Sequence, residues 1–238
     1  VLVLLGHLYS TKDYKRLASI ASERGFDKSS SIKNQDPNQR RPYLLAQEMS
    51  IRSLWHMGEF DKAIASAALL NEDWAKELST RDRQGQKKRL PIRPLVQVRN
   101  MCVPACVAMI LRALDPERET DPQVLFKQMD GSAGVAPWQL DHWLFQNKLF
   151  PIDVEVTIHA VRSMIDAGFP LLATRSHILT SHQELIVGHD DSLQEIEVRE
   201  PSHGAPVYVP YQGLIDSYCN GGESLLALIP VQDGNRLR

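Results

Sequence analysis

From Cys102 to Leu111 the chain reads Cys-Val-Pro-Ala-Cys-Val-Ala-Met-Ile-Leu, with no polar side chain until Arg112. A helix that is apolar on every side is a helix buried in a core, so any fold of this chain must be built around this run. Pro104 falls in the first turn, where its missing N–H costs no hydrogen bond. Cys102 therefore stands at the N-terminus of a buried helix. The positive end of the helix dipole favours a thiolate there and lowers the thiol pKa. Two readings of Cys102 stay open on this stretch alone: an activated nucleophile, or a small buried cysteine at a helix start.

A partner for the first reading lies downstream. Ser181-His-Gln-Glu-Leu-Ile-Val-Gly-His-Asp-Asp191 alternates and ends in a turn signal, which predicts a strand with His182 at its start. Glu195-Ile-Glu-Val-Arg-Glu-Pro-Ser202 predicts a second strand with Glu200 at its end. A thiol at a helix start, an imidazole on one strand and a carboxylate on the next can attack, take a proton and orient the base, respectively. His177, in the loop ahead of the strand, and His189, within it, compete for the role of base, but both read more simply as surface or packing residues. Asp190 and Asp191 read as turn residues. Cys106 lies one turn beyond Cys102 and faces the core. A metal or redox pair of Cys102 and Cys106 would lack its other ligands, because no second cysteine pair accompanies them. No metal and no cofactor is implied. His142, His159 and His203 have nothing to recommend them, and Gly221-Gly222 reads as a loop before the last strand.

These residues carry a resemblance. Cys102-Val-Pro-Ala-Cys-Val-Ala-Met-Ile is similar to the Cys-Gly-Pro-Ala-Cys-Leu-Ala-Met-Ile stretch of the bacteriocin-processing, double-glycine leader peptidases and their free-standing relatives. His182, Gly188 and Asp190-Asp191 resemble that family's strand pair, and Glu200-Pro201 falls where the family has Asp-Pro. Gln97 is similar to its oxyanion-hole glutamine. The resemblance runs from about Val96 to about Pro230. This chain departs from the family pattern at Val103, in place of a glycine, and at Glu200, in place of the shorter Asp. The resemblance implies a bacterial, papain-like cysteine peptidase acting on a peptide or protein. It implies Cys102 as nucleophile, His182 as base, Glu200 as orienting acid and Gln97 as oxyanion donor. An acyltransferase or deamidase using the same thioester, or an inactive relative that binds a peptide or partner protein, are the alternatives it leaves.

Composition bounds the setting. The chain has 238 residues, enough for two modest domains or one large one, and it is 43% apolar and 24% charged, as an ordinary globular protein is. A formal net charge of −2 makes no case for nucleic acid or an anionic membrane as a partner. Val1-Leu-Val-Leu-Leu5 is too short to span a bilayer and lacks a basic flank. Three cysteines, two on one helix, form no disulfide framework, which points to a reducing, cytoplasmic setting. The chain starts at Val1 and not at Met, as an excerpt of a longer protein would.

The expected order is α+β. Residues 1–80 read as helical hairpins, with apolar faces at Leu8, Tyr14, Leu17, Ala18 and Ala21 and at Leu44, Leu45, Met49, Leu54, Phe60, Ala63, Ile64 and Ala67. Gly58-Glu-Phe-Asp-Lys-Ala-Ile64 resembles the turn and second helix of a tetratricopeptide repeat, and Lys12 to Leu17 echoes it. Tyr14 and Phe60 are further apart than that repeat's period of roughly 34 residues, and the Ser, Asn, Gln and Pro-rich stretch from Asp27 to Pro42 reads as the intervening loop. Such a region could offer a face to a partner protein. Residues 81–95, polar and basic with Pro91 and Pro94, read as a solvated linker. The papain-like domain is expected over 96–238. Its helices are expected at Pro122–Met129, Pro137–Lys148, Thr157–Ala167 (closed by Gly168) and Tyr211–Tyr218. Its strands are expected at Ile152–Val156, Pro170–Thr174, His182–Val187, Ile196–Arg199, Val207–Val209 and Ser224–Ile229.

Overall fold

The structure, a computed structural model, describes residues 4–5, 8–9, 13–24, 37–70, 73–115, 117, 120–176, 181–202, 206–218 and 225–231. The chain divides into two compact units, residues 1–85 and 86–238.

The first unit is helical. Helix α1 (Tyr14–Glu23) starts at Asp13, whose carboxylate accepts the Arg16 N–H at 3.3 Å, and it buries Leu17 and Ala21. Helix α2 (Pro37–His56) packs on α1 and on α3 (Phe60–Ala67). Gly58, at φ 79°, makes the turn between α2 and α3 in a backbone region that other residues enter only with strain. A short helix α4 (Asp73–Glu77) and a 3-10 turn close the unit. The loop expected over Asp27–Pro42 is corrected at its end: α2 already begins at Pro37, where a proline is tolerated. Residues 27–36 lie outside the described residues. Tyr43, Ala46, Met49 and Ile51 are buried, while Leu44 and Leu45 are half-buried. Packed by both α1 and α3, α2 buries more than the single stripe that periodicity suggested.

The second unit combines helices with one antiparallel sheet. Its elements in chain order are β1 (Lys87–Arg89), α5 (Cys102–Leu114), α6 (Pro122–Gln128), α7 (Pro137–Gln146), β2 (Leu149–Val154), α8 (Ile158–Asp166), β3 (Leu171–Ser176), β4 (Ser181–Asp190), β5 (Glu195–Arg199), β6 (Pro206–Pro210), α9 (Leu214–Tyr218) and β7 (Leu225–Pro230). The strand order is β2-β7-β3-β4-β5-β6, every pair antiparallel. The α+β expectation therefore holds. Asp121 caps α6 and Thr157 caps α8, and Gly168, expected to close α8, takes φ 93° after it. Helix α5 buries all nine residues from Val103 to Leu111 and packs on β4.

The expected linker over 81–95 needs correction. Lys87–Arg89 is a strand, pairing with Gly188–Asp190, and Leu90 and Ile92 are buried in the core of the second unit. The basic tract enters the sheet because Glu197 on β5 meets it: Arg89 Nε donates to Glu197 Oε2 at 2.5 Å. At that end of β4, β5 occupies one edge and β1 the other, on the side that β3 uses further back.

Gly188 is the point where β1 comes closest. A Cβ placed there would lie 2.8 Å from the Lys88 carbonyl oxygen and 3.4 Å from the Arg89 Cα. Backbone, not a flexible side chain, would have to move. Gly188→Ala is expected to lower stability by about 1–3 kcal/mol, as overpacking does, read as a lower midpoint in urea unfolding. An unchanged midpoint would mean that β1 is not held against β4.

Candidate active site

The geometry grows from three neighbouring pieces of chain. Cys102 is the first residue of α5 and is half-buried, so the helix presents its sulfur at the edge of the core. The chain reaches it through Asn100, whose φ of 58° turns the backbone sharply into the helix. His182 is the second residue of β4, the strand on which α5 packs. Glu200 directly follows β5, the next strand. His182 Nε2 lies 2.6 Å from Glu200 Oε1, and the imidazole stands beside the Cys102 thiol, close enough to lower its pKa. The Ser202 N–H donates to the same Glu200 oxygen at 2.7 Å, and Ser202 Oγ lies 3.5 Å from His182 Nε2. Glu200 is thus fixed from two sides.

The electrostatics follow from these contacts. Burial pushes the Cys102 thiol up, but the His182 hydrogen bond, the Gln183 and Val103 backbone N–H groups and the imidazole charge outweigh it, and its pKa falls below the usual thiol value. The Cys102 hydrogen bond, followed by that of Glu200, raises His182 to about 10. Burial pushes the Glu200 carboxyl up as well, but His182 and Ser202 hold it down at about 2. The site therefore favours a thiolate–imidazolium pair backed by a carboxylate. Cys106 behaves in the opposite way. It is fully buried, its Sγ lies 3.5 Å from the Gln183 carbonyl oxygen, and burial followed by the neighbouring negative charges pushes its thiol well up.

Gln97 shares a cleft of about 550 Å³ with Cys102 and His182, walled by Ala133, Gly134, Leu172 and Leu226 among others. Its backbone N–H donates to the Pro201 carbonyl at 2.7 Å, tying it to the residue after Glu200. Its side-chain oxygen is buried and without a hydrogen-bond partner. All four residues singled out in the sequence, Cys102, His182, Glu200 and Gln97, are thus brought together. A larger cleft of about 950 Å³, between α5 and α6 and lined by Arg93, Arg112 and Val124, contains none of them.

The competing histidines fall elsewhere. His189 is buried, with Nε2 2.9 Å from Asp166, and His142 bonds Gln146 on its own helix. Asp190 accepts from Ser192 and from the Leu193 N–H, as a turn residue does, and Asp191 pairs with Arg162. His177, His203, Cys219 and Gly221-Gly222 lie outside the described residues.

One group escaped the sequence reading. Glu184 lies two residues after His182 on the same face of β4, is 1% exposed, and accepts the Tyr218 hydroxyl at 2.7 Å. A glutamate inside an apolar strand, in phase with a candidate base, was the available signal. Ligand atoms of His182, Glu184 and Glu200 lie within 4.8 Å of one another, close enough for a cation. Protein hydrogen bonds already engage all three, so the geometry is that of a proton-sharing cluster.

No family model matches the chain, and no curated protein matches it. Solved structures similar to it include two peptidases. One is the peptidase domain of Streptococcus ComA, a bifunctional ABC transporter involved in a quorum-sensing pathway, at 12% identity and a TM-score of 0.46, covering 58% of this chain and 98% of that one. The other is xylellain, a cysteine protease from Xylella fastidiosa, at 13% identity and a TM-score of 0.40, covering 65% of this chain and 88% of that one.

The lowered thiol is directly measurable. A thiol with a depressed pKa becomes thiolate, and so reactive, at lower pH than a free thiol. Iodoacetamide labelling of Cys102, followed by mass spectrometry against pH, is expected to begin below the range of free cysteine. His182→Ala should move the profile back up. Native Cys106 should remain unlabelled. A Cys102 profile like that of free cysteine would mean that no ion pair forms.

Proposed function

We propose that this chain is a thiol hydrolase, a peptidase of papain-like type, cutting a peptide or protein amide. The observation that carries the reading is that His182 lines one cleft with Cys102, close enough to lower its thiol pKa, while its Nε2 lies 2.6 Å from Glu200. With Nε2 engaged by Glu200, Nδ1 is the nitrogen left to exchange a proton with the thiol.

The Cys102 thiolate attacks the amide carbonyl carbon, and the carbonyl π electrons move to oxygen. The Cys102 N–H and the Gln97 amide stabilise that oxyanion. As the tetrahedral intermediate collapses, the C–N bond breaks and His182 gives its proton to the departing amine, leaving an acyl thioester on Cys102. His182, now neutral, takes a proton from water, and the resulting hydroxide attacks the thioester. The acid departs and the thiolate–imidazolium pair is restored. Glu200 keeps the ring in line and stabilises its charge. Activity is expected to rise with pH as the thiol ionises and to fall as His182 deprotonates near pH 10, because the leaving amine then lacks its proton donor.

The substrate class is a peptide whose backbone threads a cleft walled by Ala133, Gly134, Leu172 and Leu226. The helical hairpin of α2 and α3, read as tetratricopeptide-like, is offered as a partner-binding element. Among the described residues no helix is long and apolar enough to cross a membrane.

The first test is trapping. A peptide carrying an electrophile in place of the scissile bond should add to Cys102 and to neither other cysteine. No adduct would leave an inactive, peptide-binding relative as the better account. On a substrate found by profiling a peptide library, Gln97→Ala should lower kcat by about 10²–10³-fold, with the unfolding midpoint unchanged. An unchanged kcat would remove Gln97 from the oxyanion hole. Transfer to an added amine, or release of ammonia in place of a cut chain, would identify an acyltransferase or a deamidase.

A further inference from the structure

The strand that carries His182 carries a second carboxyl on the same face. Glu184 is 1% exposed. The register pairs Leu185 with Arg199, so Glu184 and Glu200 each adjoin a residue of that pair. One oxygen from each carboxyl and a His182 nitrogen lie within 4.8 Å of one another. Two ionised carboxylates facing each other across adjacent strands repel. That repulsion favours a proton on one of the pair, and Glu200 is the poorer candidate because His182 at 2.6 Å and the Ser202 N–H at 2.7 Å favour its anion.

The groups facing Glu184 come from every packed element. Tyr218, on α9, donates its hydroxyl to Oε2 at 2.7 Å, and Arg175, on β3, sends a guanidinium nitrogen to 3.4 Å from the same oxygen. Glu200 follows β5, and Cys106, a neutral thiol, approaches from α5. Burial is the largest influence on Glu184 and pushes it up. The proximity of Glu200 and that residue's charge add to this, against Tyr218 and Arg175.

We propose that Glu184 is held as a neutral carboxylic acid whose O–H donates to the Glu200 carboxylate, making it a positioning residue that keeps Glu200 aimed at His182. Tyr218 fixes Glu184 in turn, so a chain of hydrogen bonds runs from α9 to the Cys102 sulfur. The role rests on the thiol-hydrolase reading. The protonated state does not.

Glu184→Gln retains an N–H donor of nearly the same shape, whereas Glu184→Leu removes the donor and keeps the bulk. In Glu184→Gln the pH profile of Cys102 labelling and kcat should stay close to those of the unaltered protein. In Glu184→Leu the labelling profile should move up toward free cysteine. Its kcat should fall about tenfold, the loss of one hydrogen bond to a charged group, with KM little changed. At neutral pH the infrared spectrum of the unaltered protein should contain a protonated-carboxyl C=O band that Glu184→Gln lacks. If Glu184→Gln moves the profile as far as Glu184→Leu, Glu184 acts through a negative charge and the proposal fails. If Glu184→Leu lowers only the unfolding midpoint, Glu184 merely packs, and the proposal fails again. Should Glu184→Leu not fold, the infrared band and the Glu184→Gln profile decide, and absence of the band overturns the proposal. Failure of the parent reading looks different: Cys102 of the unaltered protein then labels like free cysteine while the band persists.

Discussion

The second unit depends on burying one face of β4 under a helix that has no polar side. Helix α5 sinks Val103 to Leu111 into the core and packs on β4, whose Leu185, Ile186 and Val187 belong to the same core. Apolar burial of this kind contributes about 25 cal/mol for each Å² removed from water, and it is indifferent to which atoms touch. The specific result comes from the ends of the two elements. Cys102 is where α5 begins and His182 is the second residue of β4, so packing the middles together brings the two polar starts together. A slip of one residue along β4 would turn His182 to the other face of the sheet. The hydrophobic register therefore sets the thiol–imidazole contact.

Charge completes what burial begins. A half-buried thiol by itself resists ionisation, and so does a half-buried imidazole. Each becomes the other's counter-charge here, and Glu200 adds a second anion behind the ring, so the pair ionises jointly. The Gln183 and Val103 N–H groups add two donors at the sulfur, one of them from the helix N-terminus. Cys106, one turn deeper with no such partners, is held as a thiol by the same burial. The contrast between two cysteines on one helix is thus a matter of position along its axis.

A second buried charge cluster holds β1. Arg199, 1% exposed on β5, makes an ion contact of 2.6 Å with Glu197, although the two atoms are not aligned as a hydrogen bond. Glu197 in turn accepts from Arg89 of β1. Such a network adds little net stability over an apolar core, but removing one member strands the others. Its structural effect is to admit a basic strand into the sheet beside Gly188, where any side chain would strike the Lys88 backbone.

The sequence by itself determined the local order: a buried helix after Cys102, helices starting near Pro122 and Thr157, the helix end at Gly168 and an alternating strand from His182. These signals act within a few residues, so a linear reading detects them. It also drew attention to Cys102, His182, Glu200 and Gln97, through chemistry and resemblance. Tertiary structure decided what depends on partners distant in the chain. Arg89 reads as solvated until Glu197, more than a hundred residues on, pairs with it. Helix α2 buries more than one stripe because two helices cover it. Glu184 reads as one more strand residue until Glu200 and Tyr218 surround it. The cost of burying a charge is set by its neighbours in space, which the order of residues along the chain does not specify.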